Sequence, residues 1–306
     1  MTSIEPIILT VITASTPLLL AAIGELVSER AGVLNLGVEG MMAVGAASAF
    51  GAAVATGNGA AGIVAGIGAG VLLSMLFAVL TVRFAANQVA TGLALTLLGL
   101  GIANSIGSGL VGVARDPLPK LDVPGLSEIP MIGPILFGQD VIVYASFALV
   151  IGVWYVLNYT RLGLTIRAVG DNHGSAHVLG INVATVRFGA IAFGGACAGL
   201  AGAYLSLSYT PLWVDGMTAG RGWIALALVV FASWLPWRVL IGAYLFGAVT
   251  ILQFHAQGAG IQIPAQLLSA LPYIATVLVL VLISRDVMRA RANTPACLGQ
   301  PFIPDR

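Results

Sequence analysis

The stretch GELVSERAGVLNLGVEGMMAVGA, Gly24 to Ala46, gathers Glu25, Glu29, Arg30, Asn35 and Glu39 into an otherwise apolar surrounding. A charged side chain at the centre of a bilayer costs about 2.5–3.5 kcal/mol on insertion scales. Glu39, followed by GMMAVGAASAF, therefore needs an interface or a partner. Arg30, across the Ala31–Gly37 turn, is the expected partner. The chemistry foreseen for Glu25, Arg30, Asn35 and Glu39 is structural, an ion pair and hydrogen bonds that fix a broken hairpin, with gating or direct solute contact as the alternative.

A second polar concentration is RLGLTIRAVGDNHGSAHVLGINVATVR, Arg161 to Arg187. His173 and His177 stand at i and i+4, the spacing at which an HExxH helix presents two zinc ligands. No third ligand lies nearby, so no metal is expected. Cys197 and Cys297 lie far apart without metal-ligand spacing and read as free thiols. The only lysine, Lys120, sits in PLPKLD, outside any GxxxxGK[ST] phosphate loop. The apolar stretches also lack a convincing serine, histidine and aspartate set. Neither ATP hydrolysis by a phosphate loop nor intramembrane catalysis is expected of this chain.

These groups must be held by membrane-spanning helices. Of 306 residues, 58% are apolar and 8% charged, and the mean hydropathy is +1.00. Soluble chains carry about 25% charged residues. Glycine, 39 residues, supplies the small contacts through which helices pack in lipid. With 13 basic and 12 acidic side chains, the net charge of +1 is too balanced for a nucleic-acid partner, and the solvent expected is membrane lipid. The fold class is all-α, a polytopic bundle of about 8–9 spans. Long apolar runs occur near 7–27, 36–57, 60–82, 88–108, 141–158, 187–208, 222–236, 238–257 and 264–284, the seventh being short and the second interrupted by polar residues. The first run has only Glu5 before it and reads as a retained span, not a cleaved signal. Trp234-Leu235-Pro236-Trp237-Arg238 predicts a tight hairpin at a membrane interface.

With the N-terminus outside and the C-terminus cytoplasmic, Arg30, Arg83, Arg161, Arg167, Arg187, Arg238, Arg285, Arg289, Arg291 and Arg306 fall inside. Only Arg115, Lys120 and Arg221 fall outside, the split that the positive-inside rule favours. The transmembrane domain then covers 1–285, with an extracytoplasmic loop at 109–140 and a cytoplasmic loop at 161–187. The Pro-rich 109–140 loop reads as an ordered lid or docking surface, with flexible filler as the alternative. The tail, 286–306, carries Pro295, Pro301 and Pro304 and reads as disordered.

Within 161–187, Ala168, Val169, Ala176, Val178, Leu179 and Ile181 offer an apolar face to a short docked helix, which Asp171 or Asn172 caps and Gly180 ends. The alternative is a helix lying at the lipid headgroups. On the fourth span, Asn87, Gln88, Thr91, Thr96 and Asn104 are candidates for lining a translocation path, or for hydrogen bonding between helices. Tyr209, Trp213 and Trp223 have the rings to stack a base, though aromatics also gather at interfaces. His255, between Gln253 and Gln257, reads as an interfacial cluster.

RAVGDNHGSAHVLGI resembles the coupling loop of ATP-binding-cassette importer permeases of the branched-chain amino acid and simple-sugar class. Gly24–Ala46, NQVATGLALTLLGLG, GRGWIALALVVFASW and LPYIATVLVLVLISR are similar to the subgroup paired with nucleoside-binding lipoproteins. The likeness spans nearly the whole chain. It departs at His173 and His177, where proline, small or other polar residues are more usual, and at Thr96, where asparagine is. It implies a bacterial inner-membrane subunit that translocates a nucleoside, with branched-chain amino acids or simple sugars as alternatives. It also implies a second permease subunit that completes a heterodimer, two cytoplasmic ATPase subunits that bind ATP and Mg, and an extracytoplasmic substrate-binding protein. No cofactor is implied for this chain. Arg167 and Asp171 would supply polar contact with the ATPase, Asn172 the cap, and Gly170 and Gly180 the turns. From another class, an ion-coupled carrier would place binding groups at broken helices near the midplane and would not need the 161–187 loop.

Overall fold

The computed structural model describes residues 4–121, 127, 129, 132–258, 270, 274 and 293–303. The described chain forms α1 (Ile4–Arg30), α2 (Val38–Thr56), α3 (Gly59–Ala78), α4 (Gln88–Gly107), α5 (Ile132–Phe137) and α6 (Val141–Tyr159). It continues with α7 (Arg161–Asp171), α8 (His173–Val178), α9 (Val183–Tyr204), α10 (Arg221–Phe231) and α11 (Pro236–Gly258). Wider π turns prolong α3 over Val79–Arg83 and α9 over Leu205–Tyr209.

Short polar side chains start these helices by accepting from free N–H groups of the first turn. Asn58 caps α3 at Ala60 N (2.9 Å), Asn87 caps α4 at Ala90 N (3.0 Å), and Asp140 caps α6 at Ile142 N (2.9 Å). Thr160, Asn172 and Asn182 do the same for α7, α8 and α9. Among the described residues, 7 helices are long and apolar enough to cross a membrane. They include α2, so the polar interruption falls before that helix, over 31–37. The ninth expected run, 264–284, lies outside the described residues apart from Ala270 and Ile274.

The seventh run, expected to be short, is shorter still than its 222–236 bounds. Helix α10 has 11 residues, about 16 Å at 1.5 Å per residue, roughly half of a bilayer core of about 30 Å. The non-helical segment 210–220 leads into it. The following turn, with Ser233 at φ 50 and Trp234 at φ 56, delivers Pro236 to the first position of α11, where its missing N–H costs nothing. Trp237 is half exposed, as an interfacial Trp should be, whereas Trp234 is buried.

Helices α1, α2 and α9 form the centre, and α3 packs against α2 and α9. Backbones meet there without side chains between them. A Cβ on Gly202 would strike the carbonyl oxygen of Met42, and one on Gly45 would lie 2.7 Å from Gly199. Tight apposition of small residues replaces the hydrophobic driving force that lipid does not supply.

One end of the bundle collects the end of α1, the start of α4, the pair α7–α8, the start of α9 and segment 293–303. The opposite end holds the start of α1, the end of α4 and the 109–121 loop. That loop is ordered over its described length: Leu118 N donates to Leu207 O (3.1 Å) and Leu121 N to Gln139 O (2.9 Å).

Candidate coupling end and solute path

The Ala31–Gly37 segment climbs back beside α1 before α2 begins. Its polar groups are met one by one. Glu25 Oε1 accepts from Asn35 N (3.0 Å), Asn35 Oδ1 accepts from Gly37 N (2.9 Å), and Gln88 Oε1 accepts from Leu34 N (2.8 Å). Thr96 Oγ1 donates to Leu36 O (2.8 Å). Two of the candidate path residues, Gln88 and Thr96, thus hold this segment by hydrogen bonds, the alternative role read for them.

Glu39 does not pair with Arg30. Its two carboxylate oxygens accept from Gly220 N (2.9 Å) and Gly222 N (2.6 Å), closing the N-terminus of α10. Gly220, at φ +81, has no side chain to do this, and the helix dipole favours a negative group at that end. Arg30 instead donates to Trp234 O (3.0 and 3.2 Å) and Asn293 O (3.0 Å), while Glu29 Oε2 accepts from Trp234 Nε1 (2.6 Å). The partners of these side chains are neutral dipoles, and Glu29 Oε1 and Glu25 Oε2 are buried without a hydrogen-bond partner. The partners were unreadable because α10 and Asn293 lie far along the chain, and Arg30 was merely the nearest cation in sequence.

The 161–187 loop folds into α7 and α8, joined at Asn172. The Asn172 side chain accepts from Ser175 N (2.8 Å). Gly180, at φ +85, ends α8 as Ile181 N donates to Ala176 O (3.0 Å) and Gly180 N to His177 O (2.9 Å). Gly170 packs directly on the carbonyl of Arg30, where a Cβ would collide. Arg167 and Asp171 lie on the same helix, Asp171 exposed. Val178 and Leu179, at the tip, are 86% and 80% exposed.

The described part of the tail is docked, contrary to the expectation of disorder. Cys297 N donates to Gly170 O (2.8 Å) and Gly299 N to Gly32 O (3.2 Å). The Phe302 ring lies edge-on to His173 and His177, with centroids at 5.2 and 5.3 Å. Arg187, 1% exposed, donates to Ala31 O (3.3 Å) and Gln300 O (3.0 Å) and reaches His173 Nδ1 (3.2 Å). Because arginine can only donate, His173 Nδ1 accepts and the proton sits on Nε2. Burial and the Arg187 charge hold the His173 pKa below its usual 6.5. Among the described residues, no three His, Cys, Asp or Glu side chains are grouped to hold a metal ion. Sequence reading placed neither Arg187 nor 293–303 in a site. A lone arginine at a predicted span end was the available signal.

Along α4, Asn87 is at the cap, Thr91 is half-buried and Asn104 is exposed, followed by exposed Ser105 and Ser108. Facing residues of 212–220 are mixed: Trp213 and Thr218 are buried, whereas Leu212, Val214, Asp215, Gly216 and Ala219 are exposed. Trp213 packs on Gly107, Tyr209 lies under Arg221 at 5.3 Å, and Trp223 is part exposed, so the three aromatics do not form one stack. His255 contacts the Ile251 carbonyl of its own helix (3.3 Å).

A family described as branched-chain amino acid transport system / permease component matches residues 7–283. The chain is 42% identical to the putative glucose ABC transporter permease protein TsgC13 of Haloferax volcanii, over 95% of each chain. It is 32% identical to the guanosine ABC transporter permease protein NupQ of Bacillus subtilis, over 94% of this chain and 93% of that one. With the nucleoside ABC transporter permease protein NupC of Lactococcus lactis, the identity is 33% over 95% and 96%. No solved structure matches.

Proposed function

This chain belongs to the branched-chain amino acid transport system / permease component family, and from that premise we propose that it is the permease subunit of an ATP-driven importer of nucleosides. Two relatives named for guanosine or nucleoside transport support the solute. The 42% identity to a putative glucose permease favours a second reading, a simple sugar. Nucleosides and sugars share a hydroxylated ring, and Trp223 offers a part-exposed ring face beside the α10 N-terminus.

The observation that carries the coupling mechanism is α7–α8: a capped helix pair packed backbone-to-backbone on the end of α1, with an apolar tip, Val178–Leu179, left uncovered. In this reading that end is cytoplasmic, in the plasma membrane. The tip enters an ATPase subunit, and ATP with Mg is held there. Arg167 and Asp171 add polar contact, Asn172 and Gly180 shape the turn, and Gly170 passes the displacement to α1. An ATPase can shift the permease only through contacts that differ between its two states.

The path runs beside the outer half of α4 and segment 212–220. Irregular backbone at membrane depth is tolerated where it is buried in protein or lines water, and the exposed Asn104, Ser105 and Asp215 favour water. A second permease covers this face, and an extracytoplasmic binding protein feeds it. Since Glu39 fills the α10 N-terminus, that end is closed to an anionic solute, as a neutral nucleoside or sugar requires.

The test is co-purification of the chain with its operon's ATPase, comparing native with Val178→Asp/Leu179→Asp, followed by uptake of labelled guanosine and glucose into vesicles. Exposed positions are chosen because a side chain at Gly170 would damage packing for trivial reasons. Loss of the ATPase from the variant supports the reading, as does guanosine uptake that stops with it. Recovery of no ATPase by the native chain overturns it, and uptake of glucose alone replaces the nucleoside with a sugar.

A further inference from the structure

Segment 293–303 is bonded to four parts of the chain, adding to the direct contacts that Gly170 makes with Arg30 and Arg187 with Ala31. It meets α7 through Gly170 O, the 31–37 turn region through Gly32 O, and α1 through Arg30. It meets α9 through Arg187. Phe302 adds an apolar contact to α8 beside Val169, Ala176 and Val183. Arg187 is where these parts converge: one guanidinium holds Ala31 O, Gln300 O and His173 Nδ1. No carboxylate neutralises it in these bonds. A buried guanidinium satisfied by acceptors from separate segments fixes their relative positions, because losing any one acceptor leaves a buried donor unmet.

We propose that Arg187 and residues 293–303 form a strap that makes α7–α8 and the re-entrant 31–37 segment move as one piece, so that displacement of the coupling helices is delivered to α2 and α4. Arg187 is a positioning residue here. The delivery route is material: Gln88 and Thr96 of α4 hold Leu34 and Leu36, and Glu39 of α2 holds α10. Without the strap, α8 keeps its cap, its C-terminal glycine turn and its apolar tip, since none of these uses the tail. An ATPase would still dock, and its closure would move α7–α8 with less effect on the solute path.

This inference rests on the importer reading, and the experiment separates the two. The full transporter is reconstituted with the native chain, a chain ending at residue 292, and Arg187→Lys. Solute moved per ATP hydrolysed is measured together with ATPase retention. The shortened chain is expected to retain ATPase yet transport at least 10-fold less per ATP, and Arg187→Lys to fall between. In the isolated chain, hydrogen exchange should show residues 33–37 and 173–181 losing protection together. Unchanged transport per ATP overturns the strap, as does loss of ATPase binding upon shortening or loss of protection in α8 alone. Absence of ATPase from the native complex refutes the importer reading, and the exchange experiment then still decides whether the strap joins the two segments.

Discussion

Helices α9 and α4 have almost the same mean hydropathy, 1.6 and 1.7, yet 78% of the most apolar window of α9 is buried and only 28% of that of α4. In water such a difference would track apolarity. In lipid it cannot, because the tails are as apolar as leucine, and what selects a central helix is close backbone approach and internal hydrogen bonding. Helix α9 runs GGACAGLAGAY through its C-terminal half, and its glycines meet backbone of α2 and α3. Helix α4 uses Gly92 and Gly99 on one side only, against Leu36 and Gly40, and leaves Leu93, Leu97 and Leu98 uncovered on the other.

The largest break in this comparison should come from Gly202→Leu, whose side chain has to enter the carbonyl of Met42. Folded, monodisperse protein should be lost in size-exclusion chromatography. Gly152→Leu on α6 has nothing within 4 Å of its Cβ and should purify as the native chain does. Equal yields would mean that small residues do not decide which helices are central.

Glu39 tests whether the centre depends on polar satisfaction as well as on closeness. Glu39→Ala removes the acceptor of both Gly220 N and Gly222 N. About 1–3 kcal/mol is lost for each buried N–H left without a partner, and a clear fall in the thermal unfolding midpoint is expected. Glu39→Gln keeps one carbonyl oxygen and should fall less. If the two variants melt alike, the carboxylate is not what holds α10.

Much of the local structure was legible in the residue types. Asn172 and Gly180 declared a helix start and stop because each has a conformational reason to stand there. Pro236 declared the final turn. The bonds that tie the α7–α8 end together were hidden for one physical reason: a backbone carbonyl carries no signature in sequence. Arg30 binds Trp234 O and Asn293 O, Arg187 binds Ala31 O and Gln300 O, and Thr96 binds Leu36 O. Pairing charges by proximity along the chain led from Glu39 to Arg30, when the acceptor and donor that mattered were peptide groups. A proline-rich tail reads as disordered for the same reason, since its docking uses peptide N–H and C=O groups and one phenylalanine.

Within α4 itself, the two faces should respond differently. Thr96→Val removes a buried donor to Leu36 O, a loss of about 1 kcal/mol in net hydrogen bonding, and should lower stability with little change in solute preference. Asn104→Leu, on the exposed side, should leave stability unchanged and alter uptake. A stability loss at Asn104 with normal uptake would place that face against protein instead of solute.

The smallest expected effect concerns His173, where α8 meets Arg187 and Phe302. Its imidazole must be neutral to accept from Arg187 at Nδ1, and its pKa is depressed below 6.5 by burial and by that guanidinium. A depressed folded pKa means that the unfolded site takes up a proton first, so the contribution to stability is present above about pH 6.5 and is lost as pH falls through the folded value. Protonation then sets an imidazolium against Arg187, and α8 should loosen from α9 and from Phe302. Protection factors for 173–181, corrected for intrinsic exchange, should decline as pH falls below about 6.5 in the native chain. They should stay level in His173→Gln, whose side-chain oxygen accepts from Arg187 without titrating. A decline of the same size in both chains would assign the pH response to another group and leave the Arg187–His173 contact as packing alone.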